Sequence, residues 1–282
     1  MMNAADAEPL SLLELIDKVQ RLGMTYKFEE DINRALQSII SLGNLNDRAE
    51  KNLYATSLSF RLLRQHGFHV SQDLFNSFKD NEGKFKSEFR NVVPGMLSLY
   101  EASHLAFEGE SLMDEAKAFS RTQLKNLKEG LRTSMGEKIS HVLELPYHQG
   151  LHRLEARWYV DTHDKNYEIR NPLLLELAKL DFNMVQTLHR QELRDMSRWW
   201  KEIGLAKKLS FARNRLMESI FWSLGMVPDA RFSKCRKQLP EVVKLITVLD
   251  DIYDVYGTLD ELELFTDVVQ RWDVNAIDTL LD

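Results

Sequence analysis

A single cysteine, Cys235, stands in 282 residues, so no disulfide can form within the chain, which suits a reducing compartment. No residues around it form the signature of a nucleophile. No stretch approaches the roughly 20 consecutive apolar residues that a membrane-spanning helix needs. There is no excess of positive charge: 37 Lys and Arg against 43 Asp and Glu leave a net charge of -6, which argues against nucleic acid as a partner. Period-two alternation, internal repeats and low-complexity tracts are missing, and so are GxGxxG, P-loop and HExxH patterns. His148 and His152 are four apart, but Gly150 lies between them and no acidic ligand accompanies them, so a zinc site is not expected. "HGFH" at residues 66–69 reads as a loop. The opening "MMNAADAEPLS" is neither a signal peptide nor an Arg/Ser-rich transit peptide. The chain as given therefore reads as cytoplasmic unless a targeting segment precedes it.

What is present is a helical pattern in a chain long enough for one large or two ordinary domains. Apolar residues are 44% and charged residues 28%, the balance of a globular protein. Ser11–Glu14 reads as a capping box and Gly23 as a helix stop. Phe28, Ile32, Leu36 and Ile39 form one stripe, and Ser111 opens another helix after Gly109. The polar stretch at residues 161–172 marks a domain boundary near residue 168, with Pro172 in the first turn of a new helix. Beyond it, Ser210 is expected to cap a helix through "FARNRLMESIFWSL". Pro240 is expected at the first position of a helix through "EVVKLITVLDDIYDVY", which Gly257 ends and the Thr258–Glu261 capping box follows.

Chemistry concentrates in this last region. Asp250, Asp251 and Asp254 have spacings that share a helix face. The run before them, "VVKLITVL", is apolar on most sides and reads as buried. Carboxylates gathered at the end of a buried helix repel one another and lose hydration, and a hard divalent cation resolves both costs. An exposed, solvated helix end fits the same spacing. Arg213 and Arg215 lie upstream, at the start of an expected helix, where they read first as surface arginines pairing with Glu218 and otherwise suit a phosphate-bearing anion. Trp222 presents a ring that either stabilises a cation or fills the core; Phe211, Tyr253 and Tyr256 are open in the same way.

Taken together, the motifs resemble those of the plant terpene synthases, and most closely the angiosperm monoterpene synthases. "RLEARWYV" (153–160), "NPLLLELAKLDFNMVQ" (171–186), "SRWWKEIGLAKKLSFARNR" (197–215) and "LDDIYDVYGTLDELELFTDVVQRWD" (249–273) carry the resemblance in order and spacing. It implies an all-α chain: an N-terminal helical domain of α/α-barrel type over residues 1–168, and a partial class I terpenoid synthase bundle over 169–282. It assigns Asp250, Asp251 and Asp254 to Mg²⁺, with Mn²⁺ as a substitute, and Arg213 and Arg215 to the diphosphate. Trp222 matches the family's active-site tryptophan. The implied substrate is a prenyl diphosphate, geranyl diphosphate first, with a monoterpene as product and a plastid location if a transit peptide precedes the chain. Nothing in the sequence fixes an oligomeric state.

Several features depart from the family pattern. Asn214 replaces the usual Asp between the arginines, and the tandem-arginine motif is missing near the N-terminus. Neither the second metal motif, (N/D)Dxx(S/T)xxxE, nor DxDD occurs before Asp282. The resemblance thus implies a chain ending partway through its catalytic domain, with no turnover expected from it alone. Rival readings are a catalytically inert truncated form acting at most as an interaction partner, a sesquiterpene or hemiterpene synthase, and a prenyltransferase.

Overall fold

The computed structural model describes residues 9–41, 52–130, 134–166 and 171–272. The chain forms two compact units, residues 1–182 and 183–282. The boundary expected near residue 168 lies outside the described residues. Among those described, helices account for nearly all regular structure, and the one β-type pairing is an isolated bridge between Lys79 and Phe85. No described helix is long and apolar enough to cross a membrane.

The first unit contains α1 (Pro9–Arg21), α2 (Glu29–Ser41), α3 (Leu53–Gln65), α4 (Val93–Ser103), α5 (Ser111–Gly130), α6 (Ser134–Glu144) and α7 (His152–Asn166). Helix α1 starts at Pro9 rather than Ser11, so Ser11 and Glu14 lie within it and are not its cap. Proline's fixed φ suits a first turn, and its missing N–H costs nothing there. Gly23 ends α1 as expected: its φ is +73°, and its N–H donates to the carbonyl of Gln20 while that of Met24 donates to Val19. This pair of bonds closes the helix end and turns Met24 into the core. Ile32, Leu36 and Ile39 are buried on α2, with Phe28 packed against them. Helix α5 opens at Ser111, as expected, and the Leu112 N–H donates to Gln72 Oε1 at 3.1 Å.

The interior of this unit joins a broad apolar core to a buried ion network. Arg21 Nε donates to both carboxylate oxygens of Asp17 at 3.0 Å, and Arg21 also pairs with Glu101. Arg61 pairs with Asp17 and lies 3.6 Å from Glu101. Burial pushes the Asp17 carboxyl up, but the two guanidinium groups overcome it and hold it well below the usual carboxylate range. The Tyr147 hydroxyl donates to the Gln20 carbonyl at 2.9 Å, and the Arg21 guanidinium lies 5.1 Å from its ring centre.

Helix α8 (Pro172–Ile203) opens at Pro172, where Asn171 Oδ1 accepts the Leu174 N–H at 3.2 Å. The second unit begins within it, at Asn183, and continues with α9 (Leu205–Lys208), α10 (Leu216–Met226), α11 (Ser233–Asp251), a π-helical turn (Ile252–Tyr256) and α12 (Leu259–Arg271). Three expectations are corrected here. Ser210 caps nothing: residues 209–215 are not helical, and α10 starts at Leu216. Pro240 lies inside α11. The buried guanidinium of Arg236, held by Glu192 at 2.8 and 3.1 Å and by the Val227 carbonyl at 3.0 Å, anchors the turn before it. That anchoring and the packing of α10 on α11 outweigh an interior-proline cost of about 3 kcal/mol. Finally, the run before the aspartates does not bury its apolar side. The buried stripe of α11 is Arg236, Pro240, Lys244, Val248 and Asp251, while Val242 and Ile246 are 55% and 51% exposed. The cap at Thr258 holds: its N–H donates to Glu261 Oε2 at 2.9 Å, closing the expected capping box.

The first unit carries a pH liability. His104 and His148 lie side by side, with ring centres 5.7 Å apart, and His104 Nε2 is buried with no hydrogen-bond partner among the described residues. Burial, with Lys117 and His148 adding to it, pulls the His104 pKa down to about 4. His66, His148 and His152 are lowered by burial as well. The unfolded chain therefore takes up these protons first, and stability falls as pH drops from about 6.5 towards about 4. Thermal melts followed by circular dichroism should show a decline across this window that His104→Gln makes shallower. A flat profile from pH 7 to 5 would contradict the buried-neutral assignment.

Candidate functional site

The C-terminal end of α11 and the loop before α10 meet through one carboxylate. Asp251, 1% exposed, accepts the backbone N–H of Arg213 on Oδ2 at 2.7 Å and the Arg213 Nε on Oδ1 at 2.6 Å. A second guanidinium nitrogen, Nη2, lies 2.5 Å from Oδ1. These bonds from Arg213 hold the Asp251 carboxyl below its ordinary range, and Asp251 in turn raises the pKa of the guanidinium.

On the far side of the loop, Lys244 donates from Nζ to the Arg213 carbonyl. Lys244 is fully buried, its ammonium 4.4 Å from the centre of the Trp200 ring. Burial lowers its pKa, with Asp251 and Glu218 opposing that shift. Both backbone groups of Arg213 are thus satisfied by side chains from α11, so this residue needs no helical hydrogen bond. The Arg213 guanidinium remains 57% exposed at the surface of this knot.

The other expected residues fall outside it. Arg215 pairs with Glu218 at 3.0 Å, three residues on. Asp250 and Asp254 are exposed and make no hydrogen bond or ion pair with a described residue. No group of three or more His, Cys, Asp or Glu is arranged around a common metal position among the described residues. Trp222 is 59% exposed on α10, beside Phe221 and near Met226, so it is not a core tryptophan in the described structure. Phe211 packs against Tyr256 in a tilted arrangement with ring centres 4.4 Å apart, and the Tyr253 and Thr266 hydroxyls are hydrogen-bonded at 2.8 Å. The aspartates lie where α11 passes into the π-helical turn, which closes with the Gly257 N–H donating to the Ile252 carbonyl at 2.7 Å.

Residues 1–143 match the terpene synthase N-terminal domain, and residues 201–282 match the metal binding domain of the terpene synthase family. The chain belongs to the terpene synthase family. It is similar to the chloroplastic isoprene synthase of Pueraria montana var. lobata, 63% identical over all of this chain and 46% of that protein. It is 50% identical to the (-)-alpha-terpineol synthase of Vitis vinifera, over 97% of this chain and 46% of the relative. Among solved structures, isoprene synthase from grey poplar, in complex with three Mg²⁺ ions and dimethylallyl-S-thiolodiphosphate, superposes with a TM-score of 0.91 at 52% identity, over 97% of this chain and 52% of that one. The chain spans about half the length of the curated relatives it matches.

Sequence reading of this terpene synthase chain missed Lys244. A lone lysine inside "VVKLITVL" was the available signal, since a cation in an apolar run needs a partner when buried. Two variants test the knot. Lys244→Met leaves the Arg213 carbonyl without its donor, which costs about 1–3 kcal/mol. It should lower the denaturation midpoint of the second unit and speed hydrogen exchange at residues 209–216; unchanged exchange there would show that Lys244 does not hold the loop. At Gly257 an added Cβ would lie 2.6 Å from Leu262 Cδ2 and 2.8 Å from the Ile252 carbonyl oxygen. Gly257→Ala should therefore cost about 1–3 kcal/mol and loosen residues 252–262, as read by the same exchange measurement.

Proposed function

We propose that this chain supplies the diphosphate-ionising face of a Mg²⁺-dependent terpene synthase. The observation that carries the reading is the division of labour among the aspartates: Asp251 is committed to Arg213, while Asp250 and Asp254, four residues apart, are exposed and have no hydrogen bond or ion pair with a described residue. Two free carboxylates on adjacent turns are the hard oxygen donors that Mg²⁺ takes alongside phosphate oxygens and water. When bound, the metal offsets the charge that develops on departing diphosphate. Asp250, Asp254 and Asp251 are the proposed metal-site residues, with Asp251 acting through Arg213 rather than as a free ligand. Arg213 presents its exposed guanidinium to diphosphate oxygens, and Arg215 joins it once released from Glu218. The exposed face of Trp222 stabilises the allylic cation by about 0.5–2 kcal/mol. Loss of a proton from that cation, or its capture by water, ends the reaction.

The substrate is proposed to be dimethylallyl diphosphate, ahead of the geranyl diphosphate expected from sequence. The isoprene synthases of Pueraria and grey poplar, at 63% and 52% identity, support the five-carbon reading. Identity of about half to the terpineol synthase keeps the ten-carbon reading as the second choice. Several relatives are named chloroplastic, which supports a plastid location.

The test joins these 282 residues to the C-terminal half of the Pueraria relative and assays C5, C10 and C15 diphosphates with Mg²⁺. Turnover should be at least about tenfold more efficient with the C5 substrate. Asp250→Ala should lower kcat about a hundredfold or more with helical content unchanged. Full activity in Asp250→Ala would remove the metal assignment, and a preference for C10 would return the reading to a monoterpene synthase.

A further inference from the structure

Lys244 never meets solvent, yet it sets the charge beneath the most exposed part of the knot. It is fully buried on the inward stripe of α11, between Pro240 and Val248. A lysine there gives up the hydration of its ammonium, a cost that an apolar side chain of similar length avoids. Packing alone therefore does not call for it. Two contacts offset part of the cost: Nζ donates to the Arg213 carbonyl, and the centre of the Trp200 ring lies 4.4 Å away.

The charge matters to Arg213. This arginine is exposed, but Asp251 sits against it, with Oδ1 2.6 Å from Nε and 2.5 Å from Nη2. An arginine paired so closely presents donors to an anion but little net charge. Arg215 does not make up the difference, because Glu218 pairs with it at 3.0 Å. Lys244 does. Behind the hydrogen bonds from Arg213, its ammonium adds to the pull that keeps Asp251 ionised. Two cations thus share one carboxylate, and the knot keeps one positive charge for an anion that approaches Arg213.

The same ammonium fixes direction. The Arg213 N–H is held by Asp251 and its carbonyl by Lys244, so α11 grips the peptide groups on both sides of the Arg213 Cα. The side chain leaves from a backbone that cannot turn without breaking one of those bonds.

We infer that Lys244 is a positioning residue for diphosphate binding, aiming Arg213 through its backbone and supplying from the interior the positive charge that Asp251 cancels on the arginine. Lys244 touches no ligand itself, and it takes this role only if Arg213 binds diphosphate as proposed above.

The whole chain is titrated by calorimetry with inorganic diphosphate in the presence of Mg²⁺, unsubstituted and as Arg213→Ala, Lys244→Gln and Lys244→Met. Glutamine keeps an N–H donor for the carbonyl and removes the charge; methionine removes both. Lys244→Gln should weaken inorganic diphosphate at least about threefold and Lys244→Met at least about tenfold, with unchanged far-ultraviolet circular dichroism. Inorganic phosphate, which carries less charge, should lose less affinity in each variant. Diphosphate binding that is weakened by Arg213→Ala but untouched by both lysine variants would overturn the role of Lys244 and leave the diphosphate reading standing. No binding by the unsubstituted chain, or binding indifferent to Arg213→Ala, would overturn the diphosphate reading and this role with it. A loss confined to Lys244→Met would overturn the charge assignment, as would equal losses for phosphate and diphosphate.

Discussion

A buried carboxylate keeps its charge only where fixed donors replace the water it has lost. Asp251 finds those donors on a loop 38 residues before it in sequence: the main-chain and side-chain N–H groups of Arg213. Much of the second unit follows from that. The loop is drawn onto α11 rather than winding into the helix that follows, so α10 starts at Leu216. Lys244 then takes the carbonyl left on the other side of Arg213. With Asp251 committed inward, the neighbouring aspartates face solvent, and one arginine head is held within the same cluster. A site for a polyanion and its counter-cation needs this separation, because three free carboxylates beside a guanidinium would repel the anion that the guanidinium attracts.

The same constraint turns α11 inside out relative to an ordinary amphipathic helix. Its buried stripe carries Arg236, Lys244 and Asp251, each with a partner, and its apolar residues Val242, Leu245, Ile246 and Leu249 are exposed in the described structure. The apolar cluster that holds this unit is correspondingly small, centred on Met196, Trp200, Leu216, Ile220 and Val248. Trp200 serves twice, packing in that cluster and facing the Lys244 ammonium. Phe221 and Trp222 on α10 are exposed as well, and exposed apolar area is costly in water where it is contiguous.

Periodicity and caps made the helical class legible in the sequence. Gly23, Pro172 and the Thr258–Glu261 box mark element ends because each satisfies or omits a backbone group locally. The failures have the opposite character. Ser210 looks like a cap, but a tertiary bond from Asp251 decides where α10 begins. Pro240 looks like a first residue, but the long-range Arg236–Glu192 pair fixes a turn before it. An apolar run looks buried until its lysine and aspartate find partners 31 and 38 residues away. The aspartates and arginines are visible by spacing; their division into paired and free groups is not, because the pairing is long-range and runs in part through a backbone amide that no side-chain pattern records.

The ion network of the first unit shows what such pairings do to the space around them. Arg21, Asp17, Arg61 and Glu101 come from α1, α3 and α4, and each needs its partner at hydrogen-bonding distance. Removing one member leaves an uncompensated buried charge, so the network resists substitution even where an apolar set of equal volume would be no less stable. It also resists collapse. Leucines can slide together until a void closes, whereas guanidinium and carboxylate groups hold their helices at the spacing that their bonds require. The half-open cavity of about 460 Å³ that this network lines is therefore the expected companion of fixed charges.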